Sequence, residues 1–135
     1  MANPLTEHGL DPVVRNWLMA ANGVRLWKPV SIRIVEHVIY KEDPPPSVSS
    51  DEFEMYACVR SREPLEVSIS SQCRCIDFHH FPNEQKVDDA IAKAILYTFQ
   101  YVGQRDIEVQ IIRYAKSNTE RVEACIVIRV PKRSR

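Results

Sequence analysis

Glycine is scarce in this sequence, with three among 135 residues. Loops that wrap backbone N–H groups around a phosphate depend on glycine, and no glycine-rich phosphate loop is present. A serine nucleophile elbow and a paired set of catalytic carboxylates are missing as well. Net charge is also absent: eighteen basic and eighteen acidic side chains cancel. That balance excludes the single-sign field of a general nucleic-acid or membrane binder. No apolar run reaches bilayer-spanning length, and residues 1–10 lack the basic-then-apolar form of a secretory signal. Cys58, Cys73, Cys75 and Cys125 are even in number. Without a secretory signal they read as reduced thiols of an intracellular protein. What is present, 44% apolar and 27% charged residues over 135 positions, is the make-up of one globular domain, residues 1–135.

One long helical pattern organises the chain. Asn83 is a good cap, Glu84, Asp88 and Asp89 bring negative charge to the first turns, and Gly103 suits a left-handed stop. Val87, Ile91, Ala94, Ile95, Thr98 and Val102 share one stripe. Ala90, Tyr97 and Tyr101 widen it to one side and Phe99 to the other, giving an apolar arc of about 200°. Leu96 lies outside that arc, beside Asp89, Ala92, Lys93 and Gln100. An arc this wide exceeds what one sheet face covers, so Leu96, Tyr97 and Tyr101 are candidate contacts for a second copy or another protein.

Elsewhere the apolar period is two. Residues 1–10 read as a loose arm. Asp11 and Pro12 open a short N-terminal helix that Asn22 and Gly23 end. Val30, Ile32, Ile34, Val38 and Tyr40 then alternate with Ser31, Arg33, Val35, His37 and Ile39, the pattern of a strand that is central or covered on both faces. Residues 41–50, rich in proline and serine, read as an exposed loop. Two further strands follow, around residues 53–60 and 65–69. Serines 68, 70 and 71 predict a bulge or bend in the second of these, which resumes at residues 73–78. After the long helix come strands at residues 107–114 and 122–130, joined by a hairpin at Ser117, Asn118 and Thr119. The expectation is an α+β domain: an antiparallel sheet of about five strands with the long helix across one face.

Candidate chemistry is sparse. Cys73, Cys75, His79 and His80 carry zinc-ligand atoms, but Cys-x-Cys on a strand departs from the usual turn-presented spacing. Half-buried thiols are the favoured reading. Adjacent histidines on a strand face opposite ways, which argues against a metal-dependent nuclease using His79 and His80 with Tyr97 or Tyr101. Lys132, Arg133 and Arg135 form a basic tail at residues 131–135, readable as a nuclear address, a phosphate contact or a solvated end.

The most specific stretch begins Ala21-Asn22-Gly23-Val24-Arg25-Leu26-Trp27 and continues from Pro29 through Ile34 to Glu36-His37. It resembles the N-terminal signature of the geminivirus replication enhancer proteins: Asn-Gly-Val, a tryptophan three residues on, and a proline-led apolar strand ending near Glu-His. The resemblance implies a non-enzymatic viral accessory protein of the plant-host nucleus, without cofactor or metal. It implies self-association, binding to the viral replication initiator, and contacts with the host sliding clamp and retinoblastoma-related protein. Asn22, Gly23, Trp27, Glu36 and His37 carry over as structural residues. The alternative from the residues themselves is a small nucleic-acid-binding or silencing-suppressor module using the basic tail and exposed aromatics.

Overall fold

The computed structural model describes residues 2–3, 30–44, 46–60, 66–73, 78–115 and 122–133. Its elements in chain order are β1 (Ala2–Asn3), β2 (Ile32–Ile39), β3 (Phe53–Arg60), β4 (Glu66–Ser70), β5 (His79–Phe81), α1 (Glu84–Val102), β6 (Ile107–Tyr114) and β7 (Val122–Pro131). The expected N-terminal helix, with Asn22, Gly23 and Trp27, lies outside the described residues, as do Cys75, Arg135 and the turn at Ser117, Asn118 and Thr119.

Asn83 caps α1 as its side chain predicts. Its backbone is extended, and its Oδ1 accepts the Lys86 N–H at 3.0 Å, satisfying one of the donors a helix start leaves open. The other end differs in detail from a left-handed stop. Gly103 has φ 81° but ψ 174°, a combination that belongs almost wholly to glycine. Its N–H donates to Phe99 O at 2.7 Å, closing the last turn. Val87, Ala90, Ile91, Ala92, Ala94, Ile95, Thr98 and Phe99 are buried. At about 100° per residue this arc again spans about 200°, but it is turned to take in Ala92 and leave out Tyr97; Tyr101 falls within it by angle and is exposed in the last turn. Thr98 tolerates full burial because its hydroxyl donates to Ala94 O at 2.7 Å.

The sheet is mixed, which corrects the antiparallel expectation. Its strand order is β1-β2-β6-β7-β3-β4, with β5 added along β7. β2 runs parallel to β6, from Ile32 opposite Ile107 to Ile39 opposite Tyr114. One side-chain and one backbone bond open that register: Asp106 Oδ1 accepts the Ser31 N–H at 2.8 Å, and Ile107 N–H donates to Ser31 O at 3.0 Å. A parallel pair requires a long crossover, which here includes β3, β4, β5 and α1. The β3–β4 and β6–β7 pairs are antiparallel. The central strand is β7, with β6 along one edge and both β3 and β5 along the other. β2 was expected to be central or covered on both faces. It sits one place from the edge, held beyond only by β1 at Ile34 and Val35. A register shift between Phe53 and Met55 bulges β3.

The period of two sorts apolar side chains into two clusters. Ile32, Ala57, Val59, Val109, Ile111, Ile126 and Ile128 meet α1 on one face, each buried aliphatic contributing about 1.5–3 kcal/mol. On the other face Tyr56, Ile112, Cys125 and Val127 pack with Val48 and Cys73. Val48 comes from the proline- and serine-rich segment expected to be exposed. That segment is solvent-facing at Lys41, Glu42 and Asp43 but turns Val48 inward.

Candidate functional site

The face of the sheet opposite α1 carries a row of polar side chains. Register places Arg33 opposite Glu108, Glu108 opposite Arg129, and Arg129 opposite Tyr56. Glu108 Oε1 accepts from Arg129 Nε at 2.9 Å and from a second guanidinium nitrogen, while Arg33 stands 3.6 Å from Oε2. Gln110 Nε2 also donates to Oε1, and Gln110 Oε1 accepts from His37 Nε2 at 2.7 Å. The Glu108 side chain is only 9% exposed. A carboxylate so desolvated stays stable because donors surround it.

Arg129 also reaches away from the sheet. Its Nη1 donates to Val48 O at 3.0 Å, and its guanidinium lies 3.9 Å from the centre of the Phe53 ring. Beside it opens a cleft of about 520 Å³, lined among others by Ser47, Ser49, Ser50, Ser71 and Lys132. Ser49 Oγ donates to Cys73 O at 2.5 Å and accepts the Cys73 N–H at 3.3 Å. Tyr56 Oη accepts the Ser50 N–H at 2.9 Å and donates to Ser50 O at 3.1 Å. These hydroxyls bond backbone partners and so shape the loop.

The residues singled out from the sequence fall in separate places. Tyr97 and Tyr101 sit on successive turns of α1, 43% and 61% exposed, with Leu96 half-buried beside them. Glu36 and His37 project to opposite faces of β2. Glu36 accepts from Arg113 Nε at 3.3 Å, and Arg113 reaches Glu84 of α1 at 2.8 Å, which clamps the helix start to the sheet. Lys132 and Arg133 are exposed. Cys73 is buried in irregular chain beyond β4, not in the strand expected at residues 73–78. His79 and His80 are consecutive in β5, opposite Ala124 and Glu123, and so alternate in direction. Among the described residues, no group of three or more His, Cys, Asp or Glu side chains is arranged to hold a metal ion.

Three features escaped the sequence reading. The Glu108–Gln110–Arg129 network was signalled only by two polar residues alternating within the otherwise apolar run at residues 107–112 of β6. Val38 and Tyr40 are exposed large side chains at the end of β2, though alternation alone put them with the core. Cys58 and Cys73 bring their sulfurs to 3.5 Å, a proximity set by the fold rather than by any spacing. No family model, curated protein or solved structure matches this chain.

Proposed function

We propose that this chain is a non-enzymatic accessory protein that enhances replication of a small viral DNA genome through protein–protein contacts in the host nucleus. The replication role rests on the resemblance of residues 21–37 to the geminivirus replication enhancers. The observation that carries the contact role is the exposed aromatic pair Tyr97 and Tyr101 on a helix whose other exposed side chains are polar or charged. Tyrosine offers a rigid apolar ring with a polar tip and is enriched at interface centres. The expected partners are a second copy of the chain, the viral replication initiator, and the host sliding clamp and retinoblastoma-related protein. Its mechanism is scaffolding: an assembly that raises the local concentration of the initiator and host factors.

Exposed Lys132 and Arg133 favour a second reading, a small nucleic-acid-binding or silencing-suppressor module. Against it, Arg129 is engaged by Glu108 and Arg105 by Glu54 at 2.6 Å, which shortens any phosphate track.

The test measures viral DNA accumulation in plant cells with wild type, Tyr101→Asp and a null allele. Wild type should exceed both. Equal accumulation in all three removes the replication role, and DNA or RNA binding that falls steeply with salt would put the second reading in its place.

A further inference from the structure

We propose that Cys58 and Cys73 are a redox-modification site, forming a reversible disulfide that fastens residues 48–50 to the sheet when the protein meets a thiol oxidant. The two sulfurs already lie 3.5 Å apart across a sequence separation of 15 residues. A disulfide bond is about 2 Å long, so the sulfurs must close by about 1.5 Å. The two ends differ in freedom. Cys58 is fixed in β3, opposite Ser68 on one neighbour and Val127 on the other. Cys73 is in irregular chain beyond Ser70, the last residue of β4 and of its register with β3. Cys73 therefore supplies the movement.

What moves with Cys73 gives the bond its consequence. Ser49 Oγ holds both the C=O and the N–H of Cys73. Val48 and Ser50, its neighbours, are bound by Arg129 and Tyr56. A covalent tie from Cys73 to β3 therefore fastens this segment and one wall of the serine-lined cleft.

The chemistry balances with glutathione disulfide as oxidant. The half-buried Cys58, more exposed than Cys73, attacks the glutathione S–S bond as thiolate and releases one glutathione thiolate. The Cys73 thiolate then attacks the Cys58 sulfur and displaces the second glutathione. Two protein thiols are oxidised, one glutathione disulfide is reduced, and the protons from the cysteines end on the two released thiols.

The full chain, purified in reductant, is incubated with glutathione disulfide, blocked with iodoacetamide and mapped by mass spectrometry. The expected product joins the Cys58 and Cys73 peptides, lacks two hydrogens, and is undone by dithiothreitol. Backbone amide exchange in residues 48–50 should slow by about tenfold or more in that product. Separate alkylation or glutathionylation of the two cysteines, or Cys73 joined to Cys75 or Cys125, overturns the site. A cross-linked product with unchanged exchange overturns its fastening role. Cys58→Ser should lose both effects; if that variant fails to fold, reduced against oxidised wild type makes the same comparison.

Discussion

Arg129 and Glu108 stand directly opposite one another on β7 and β6, and the arginine joins the sheet to the Val48 loop through its remaining nitrogen. One side chain thus neutralises a buried carboxylate and closes the second hydrophobic cluster. Replacing it exposes both dependencies. Arg129→Ala should cost about 2–3 kcal/mol, below the full cost of orphaning a buried charge because Arg33 and Gln110 still face Glu108. Urea unfolding followed by circular dichroism measures it. A loss under about 0.5 kcal/mol, the scale of ordinary surface changes, would show the pair to be unimportant.

The Asn83 cap gives a smaller expectation. Its Oδ1 serves the Lys86 N–H, and alanine cannot replace that acceptor. Asn83→Ala should destabilise by about 1 kcal/mol, whereas Asn83→Ser, which keeps an acceptor, should stay close to wild type. Equal stability of all three would mean that water satisfies the helix start as well as the side chain does.

Gly103 separates backbone strain from packing. A Cβ added there meets nothing within 4 Å, so any cost of Gly103→Ala is conformational. With φ 81° and ψ 174°, that cost should be about 1–3 kcal/mol. Thermal unfolding that leaves the midpoint of Gly103→Ala unmoved would mean the turn relaxes freely.

The helix was legible because its signals are local: a cap at Asn83, a glycine at 103, and apolar residues every three to four positions between. Hairpin partners were legible for the same reason, since β3 with β4 and β6 with β7 are neighbours in sequence. The parallel pairing of β2 with β6 was not. It joins strands about seventy residues apart in the chain, from Ile32 opposite Ile107 to Ile39 opposite Tyr114, which no periodicity records. The wide apolar arc misled in one respect. It suggested surface left over for a second copy, yet a similarly wide arc is buried within the single chain, and Ala92, placed from sequence on the polar side, is fully buried. The candidate contact residues remain Leu96, Tyr97 and Tyr101, of which Leu96 is half-buried. The network around Glu108 stayed hidden because charged residues in a strand read as an outer face until the loop above them is placed.

The last prediction separates surface from core on the same helix. Ile95 is fully buried in the cluster beneath α1, while Tyr101 is 61% exposed one and a half turns on. Ile95→Ala should cost about 2–5 kcal/mol and lower the amount of folded protein. Tyr101→Ser should change stability by no more than about 0.5 kcal/mol. If α1 presents the assembly surface, sedimentation of wild type at micromolar concentration shows a species above 15.6 kDa, and Tyr101→Ser returns it to the monomer with its fold intact. Leu96→Asp should weaken assembly in the same direction, since it puts a charge at the margin of the same patch. A wild-type monomer at these concentrations would sink self-association through this face. An oligomer that survives both substitutions would place the contact elsewhere, with exposed Val38 and Tyr40 at the end of β2 the next residues to change.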